Sequence, residues 1–204
     1  MRMSHAGQLR VSIAALLIGG LFGCSASPPA DRGGGTAAGS SDQHLTEKER
    51  ADGAAAQEAL LGDGVISRAD YEKATEFLGK CLQAHDVQLV NKGWNPVNQQ
   101  VMTMWYRNPE LSDDEVGAIG DECHGAWLGR VEDQFAKSNP PRMKPELMLV
   151  VKECLRNKNL AVSDRAVGIP DLDAELGEDR RQDIRACVRQ AVSQLYPDSP
   201  VAIY

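Results

Sequence analysis

Apolar residues fall into three kinds of run along this chain. Val11 to Leu21 is short and almost unbroken. Residues 25–41 have no apolar period, and from residue 47 onward apolar positions recur at helical or alternating spacing. Thr46 and Glu49 stand at capping-box spacing before an Ala-, Glu- and Lys-rich stretch, which predicts a first helix over Glu47 to Leu61, broken by Gly62 to Gly64. Ser67 and Asp70 repeat the box and open a second helix, Arg68 to about Ala84, with Tyr71, Ala74, Leu78, Cys81 and Leu82 on one stripe. Val87 and Leu89 alternate with polar residues as a strand does, Asn91 to Asn98 reads as a turn, and Gln99 to Tyr106 reads as the partner strand of a hairpin. Ser112 and Glu115 start a third helix running to about Lys137 along Val116, Ile119, Cys123, Trp127 and Val131. Pro145 fits the first position of a fourth helix, with Leu147, Val150, Val151 and Cys154 inward. Leu160 and Val162 read as a short strand. A loop containing Gly168 and Pro170 leads to a last helix near Asp179 to Leu195, along Ile184, Cys187, Ala191 and Leu195.

This pattern repeats. Ala74, Phe77 and Leu78 precede Cys81 at the spacings by which Leu147, Val150 and Val151 precede Cys154. Val87 and Leu89 follow as Leu160 and Val162 do. Each copy then reaches a helix with a cysteine on its apolar stripe, Cys123 or Cys187. The expected fold is α+β and mainly helical, with two related helix–strand–helix units each closed by a disulfide. Four cysteines allow three pairings, and the repeat is the ground for choosing Cys81 with Cys123 and Cys154 with Cys187.

The start of the chain has the parts of an export signal: Arg2 and Arg10, the apolar run, and Gly23 as the small residue before Cys24. The run is far shorter than the roughly 20 residues a spanning helix needs. Leu21-Phe22-Gly23-Cys24 resembles the bacterial lipobox, which implies cleavage before Cys24 and a diacylglycerol on its sulfur, a stable anchor once two acyl chains are attached. Phe22 is bulkier than the residue usual at its place. The expected organisation is a lipoprotein signal peptide over 1–23, lipidated Cys24 with a flexible linker over 24–41, and one extracytoplasmic domain over 42–204, its two units at about 63–138 and 142–196. As a flexible coil the linker spans roughly 20–25 Å, enough to hold the domain clear of the headgroups.

Composition narrows the function. The net charge is −7, and about −9 once Arg2 and Arg10 leave with the signal, which argues against nucleic acid as a partner. With Cys24 lipidated, Cys81, Cys123, Cys154 and Cys187 remain, an even set that reads as two disulfides in an exported domain. The run from Asp63-Gly64 through Tyr71 to Cys81-Leu82, the Cys154-Leu155-Arg156 triplet and the lipobox with its polar linker resemble uncharacterised lipoproteins of actinobacteria. That resemblance implies a location and a disulfide architecture, and no active-site residue. The glycine that often follows the helix-ending cysteine in those proteins is replaced here by His85-Asp86 and Lys158-Asn159, so the helix exits are expected to differ.

The chemistry-bearing residues give little. No nucleophile elbow, His-Glu-x-x-His, Ser-x-x-Lys or Cys-x-x-Cys occurs. Asp63-Gly64 resembles half of a calcium loop, but the first ligand places would fall on Ala59 and Leu61, so Ser67 and Asp70 read as a helix cap. Asp121, Glu122 and His124 fan out around Cys123 and read as a solvated face. His44 and His85 have no partner at ligand spacing, and Met102, Met104, Trp105 and Tyr106 read as a strand covered by helices. No catalytic residue, metal ligand or cofactor is assigned. The expectation is a non-catalytic lipoprotein on the extracytoplasmic face of the cell membrane, held through lipid on Cys24. It would bind a protein, peptide or cell-wall partner in the envelope, as an accessory to a transporter or sensor. The alternative is a secreted enzyme using carboxylates with His124 or His85.

Overall fold

The computed structural model describes residues 43–62 and 64–198. Cys24, the export signal, the linker, Asp63 and Pro200 lie outside the described residues. Helix α1 (Glu47–Leu61) begins at the expected capping box, Thr46 with Glu49. Helix α2 (Arg68–Ala84) begins at Ser67, whose backbone N–H and hydroxyl both donate to Asp70 Oδ2, at 2.9 and 2.6 Å. Its stripe of Tyr71, Ala74, Leu78, Cys81 and Leu82 is buried as read.

Strands β1 (Gln88–Trp94) and β2 (Met102–Arg107) pair antiparallel, with Leu89 opposite Tyr106 and Val90 opposite Trp105. The expected turn starts later than Asn91. Gly93, at φ +83°, forms an irregularity between Asn91 and Trp94, so the strand bends and continues where a turn was read. The turn itself is held by Asx contacts: Asn95 Oδ1 accepts from the Val97 N–H and Asn98 Oδ1 from the Gln100 N–H.

The expected long third helix is two helices, α3 (Asp113–Trp127) and α4 (Gly129–Ser138), separated at Leu128. The cause is Gln57 of α1, which is 1% exposed. Its amide nitrogen donates to the carbonyls of Gly125 and Ala126, and its amide oxygen accepts from the Arg130 N–H at 2.8 Å. One side chain thus satisfies groups that end one helix and begin the next, which removes the cost of the break. Gly53, a turn earlier, permits the approach, since a Cβ there would lie 2.5 Å from the Ala126 carbonyl oxygen.

Helix α5 (Pro145–Asn157) has proline in its first turn as expected. The expected strand at Leu160 and Val162 is extended coil without a partner strand, its apolar side chains packed on the core. The Ser163 N–H and hydroxyl donate to Glu175 where a strand would have paired. The expected loop at Gly168 and Pro170 is instead the start of helix α6 (Ile169–Leu176). Asp171 Oδ2 there accepts from the N–H groups of Val167 and Gly168. Pro170 sits in the first turn, where a missing N–H costs nothing. A 3-10 turn (Glu178–Arg180) leads into α7 (Arg181–Leu195).

The fold is therefore α+β and mainly helical, and both expected disulfides are present. Cys81–Cys123 joins α2 to α3, and Cys154–Cys187 joins α5 to α7. Two buried clusters form the core. One runs from Leu45 and Ile66 to Phe135. The other holds Met143 to Val192 together with Val97, which the hairpin turn lends to it. The two helix exits share one conformation. Asp86 (φ +59°) and Asn159 (φ +61°) adopt the left-handed conformation that glycine favours, and Val87 and Leu160 each donate back to the leucine after the cysteine.

Candidate binding site between the two cores

The hairpin turn and the 139–144 segment are laced together by backbone. Arg142 N–H donates to Asn98 O and Lys144 N–H to Pro96 O, at 2.9 and 2.8 Å. Gln100 adds its amide nitrogen to the carbonyls of Ala136 and Asn139, tying the turn to the end of α4. Beside this clasp a cleft of about 580 Å³ opens, with Arg68, Gln99 and Arg142 among its polar residues and Phe135, Met143 and Val167 among its apolar ones.

Arg68 is held in place. Its guanidinium lies 4.7 Å from the centre of the Trp94 ring and donates to Gln99 Oε1 at 2.8 Å. Trp94 is itself packed against Tyr71 and Phe135, with ring centres 4.8 and 5.1 Å away. Gln99 holds φ +52°, in the left-handed region, within the hairpin turn that Asn95 and Asn98 cap. No Asp or Glu lines the cleft. Among the described residues neither arginine has a carboxylate at ion-pair distance. The cleft thus holds two arginines without a direct ion pair between apolar walls, with Glu72 on the Trp94 indole N–H and Asp171 on the Val167 N–H at its margins.

The residues singled out in the sequence lie elsewhere. Asp121, Glu122 and His124 are not a common solvated face. Glu122 receives the N–H groups of His44 and Leu45, both at 3.0 Å, and pins the arm that precedes α1. Burial opposes its charge, but these donors hold its carboxyl below the usual range. His124 Nε2 lies 3.3 Å from Glu132 Oε1, and the other oxygen of Glu132 accepts the buried Tyr71 hydroxyl. The Glu132 contact raises the His124 pKa against partial burial. Glu132 is held low by His124 and Tyr71, again against burial. Tyr71 also accepts from the Met102 N–H, so the network fastens α2, α3, α4 and β2. Tyr106 packs its ring on Gly120, and burial pushes its hydroxyl up to about 12. Met104, Trp105 and Tyr106 are half-buried. His85 pairs with Glu49 at 3.2 Å beside a separate cleft of about 630 Å³. Among the described residues no three His, Cys, Asp or Glu side chains are grouped to hold a metal ion, and no helix is long and apolar enough to cross a membrane.

Sequence reading missed Arg68, Gln99 and Arg142. The first is an ordinary residue of a first helical turn, and the other two are made neighbours only by the clasp. Comparison with protein-family models, with curated proteins and with solved structures finds no match to this chain.

Proposed function

We propose that this chain is a non-catalytic lipoprotein, held by lipid on Cys24 at the extracytoplasmic face of the cell membrane. In this reading its domain binds a protein, peptide or cell-wall partner through the Arg68–Arg142 cleft. The observation that carries the binding reading is that cleft: apolar-walled, and lined by two arginines that make no ion pair among the described residues. Two disulfides support an oxidising compartment. The lipobox and the likeness to actinobacterial lipoproteins support the anchor. The enzyme alternative would rest on His85 or His124, whose Nε2 atoms face Glu49 and Glu132 and whose Nδ1 atoms would then carry the proton transfer.

The anchor is tested in cells. Wild type should take up labelled palmitate and sediment with membranes, while Cys24→Ser should do neither. Release of unmodified wild type into the medium would overturn the reading.

A further inference from the structure

We propose that the Arg68–Arg142 cleft takes an acidic peptide segment, in which Asp or Glu side chains alternate with apolar ones. This deepens the binding reading above and rests on it.

Arg68 spends one N–H on Gln99 Oε1 and stacks its face on Trp94, which leaves most of its five donors unspent in a fixed orientation. A guanidinium so placed matches a carboxylate with two parallel hydrogen bonds and loses little freedom in doing so. Arg142 makes no side-chain hydrogen bond or ion pair among the described residues, while its backbone N–H is fixed to Asn98 O. It is an exposed arm on a rigid base. The two arginines stand on different elements, the start of α2 and the segment between α4 and α5. Two cationic arms from separate elements give the cleft places for more than one carboxylate.

The apolar walls decide what lies between the charges. Val167, a large hydrophobic residue left 40% exposed, lies on one side, with Pro140, Pro145 and the edges of Phe135 and Met143 nearby. A bare inorganic anion would leave these surfaces unused, whereas aliphatic side chains of a peptide would bury them. The prolines offer no N–H, and the neighbouring backbone donors are already spent: Met143 N–H on Val167 O and Arg142 N–H on Asn98 O. On the protein's side, donation to a ligand therefore falls to side chains rather than to backbone N–H groups. The volume, about 580 Å³, lies in the usual range for a small bound ligand and suits a few residues of peptide.

The test uses the full chain in detergent and fluorescence anisotropy. The probe is a labelled, N-acetylated, C-amidated hexapeptide alternating Glu and Leu, set against its Gln–Leu counterpart and inorganic phosphate as a competitor. The Glu–Leu peptide should bind saturably and at least tenfold more tightly than the Gln–Leu peptide, and rising salt should weaken it. Arg142→Gln, which removes no contact within the fold, should weaken binding at least tenfold with an unchanged melting temperature. Arg68→Gln should also weaken binding at least tenfold, and the double variant should abolish it. Equal affinity for the two peptides, or unaltered binding by Arg142→Gln, would overturn the proposal. So would displacement of the peptide by phosphate at or below the peptide's own dissociation constant, which would mark a phosphoryl site. Palmitate labelling is read separately, so a chain that is anchored but fails here loses the peptide assignment alone.

Discussion

Asp86 and Asn159 hold the same place in two separate helix exits. Each lies five residues after a disulfide cysteine, each has φ near +60°, and each precedes an apolar residue whose N–H returns to a leucine carbonyl. The repeat seen in the apolar pattern is therefore carried in backbone conformation, although only the first copy goes on to a strand. Asp and Asn tolerate this region, glycine is at ease in it, and β-branched residues are not. Asp86→Gly and Asn159→Gly should leave stability within about 1 kcal/mol of wild type, while Asp86→Val and Asn159→Val should each cost about 1–2 kcal/mol. Urea denaturation decides between these outcomes.

Gln57 provides the second prediction. Gln57→Leu keeps the volume but strips partners from the Gly125 and Ala126 carbonyls and the Arg130 N–H. With these part-buried groups left unpaired, the loss should be on the order of 1–3 kcal/mol. A loss under about 0.5 kcal/mol, typical of a surface change, would mean that the amide does not bridge the two helices.

The His124–Glu132 pair gives the fold a pH window. His124 has its pKa raised above 6.5, so its contribution is complete below 6.5 and fades as pH climbs through the raised value. Glu132 has its pKa lowered below 4.5, so its contribution is complete above 4.5 and fades as pH falls through the lowered value. The melting-temperature gap between wild type and Glu132→Gln should be widest between 4.5 and 6.5 and narrow on both sides. A gap constant from pH 4 to 9 would show that no ion pair forms.

Each disulfide should matter on its own. The closed loops span 42 and 33 residues, and replacing either cysteine pair with alanine should cost about 2–5 kcal/mol. A non-reducing peptide map should recover the two pairs, and a Cys81–Cys154 fragment would contradict the fold.

Local features were legible in the sequence because they are written in neighbouring residues. The caps at Thr46, Ser67 and Ser112, proline at the start of α5 and the stripe of α2 all need only a few positions to specify. The cysteine pairing was legible because the apolar pattern repeats. The break at Leu128 was not, since its cause, Gln57, lies some seventy residues away. Helix α6 was hidden because Gly168 and Pro170 stop helices in the middle yet suit their first turn. The positive cleft was hidden for a further reason. Nothing near Arg68 in sequence foretells Arg142, and only the folded clasp between Asn98 and Arg142 puts both on one opening.

The central claim is that the opening between the two cores, rather than either histidine site, is where this protein meets its partner. Nuclear magnetic resonance of the full chain in detergent, with backbone and arginine Nε–H signals followed during titration with the Glu–Leu peptide, tests it most directly. The account predicts saturable shifts at Arg68, Gln99, Asn139, Arg142 and Val167, with His85 and His124 unmoved. Shifts centred on His124 and Glu132, or on His85, with the arginine signals still, would contradict it.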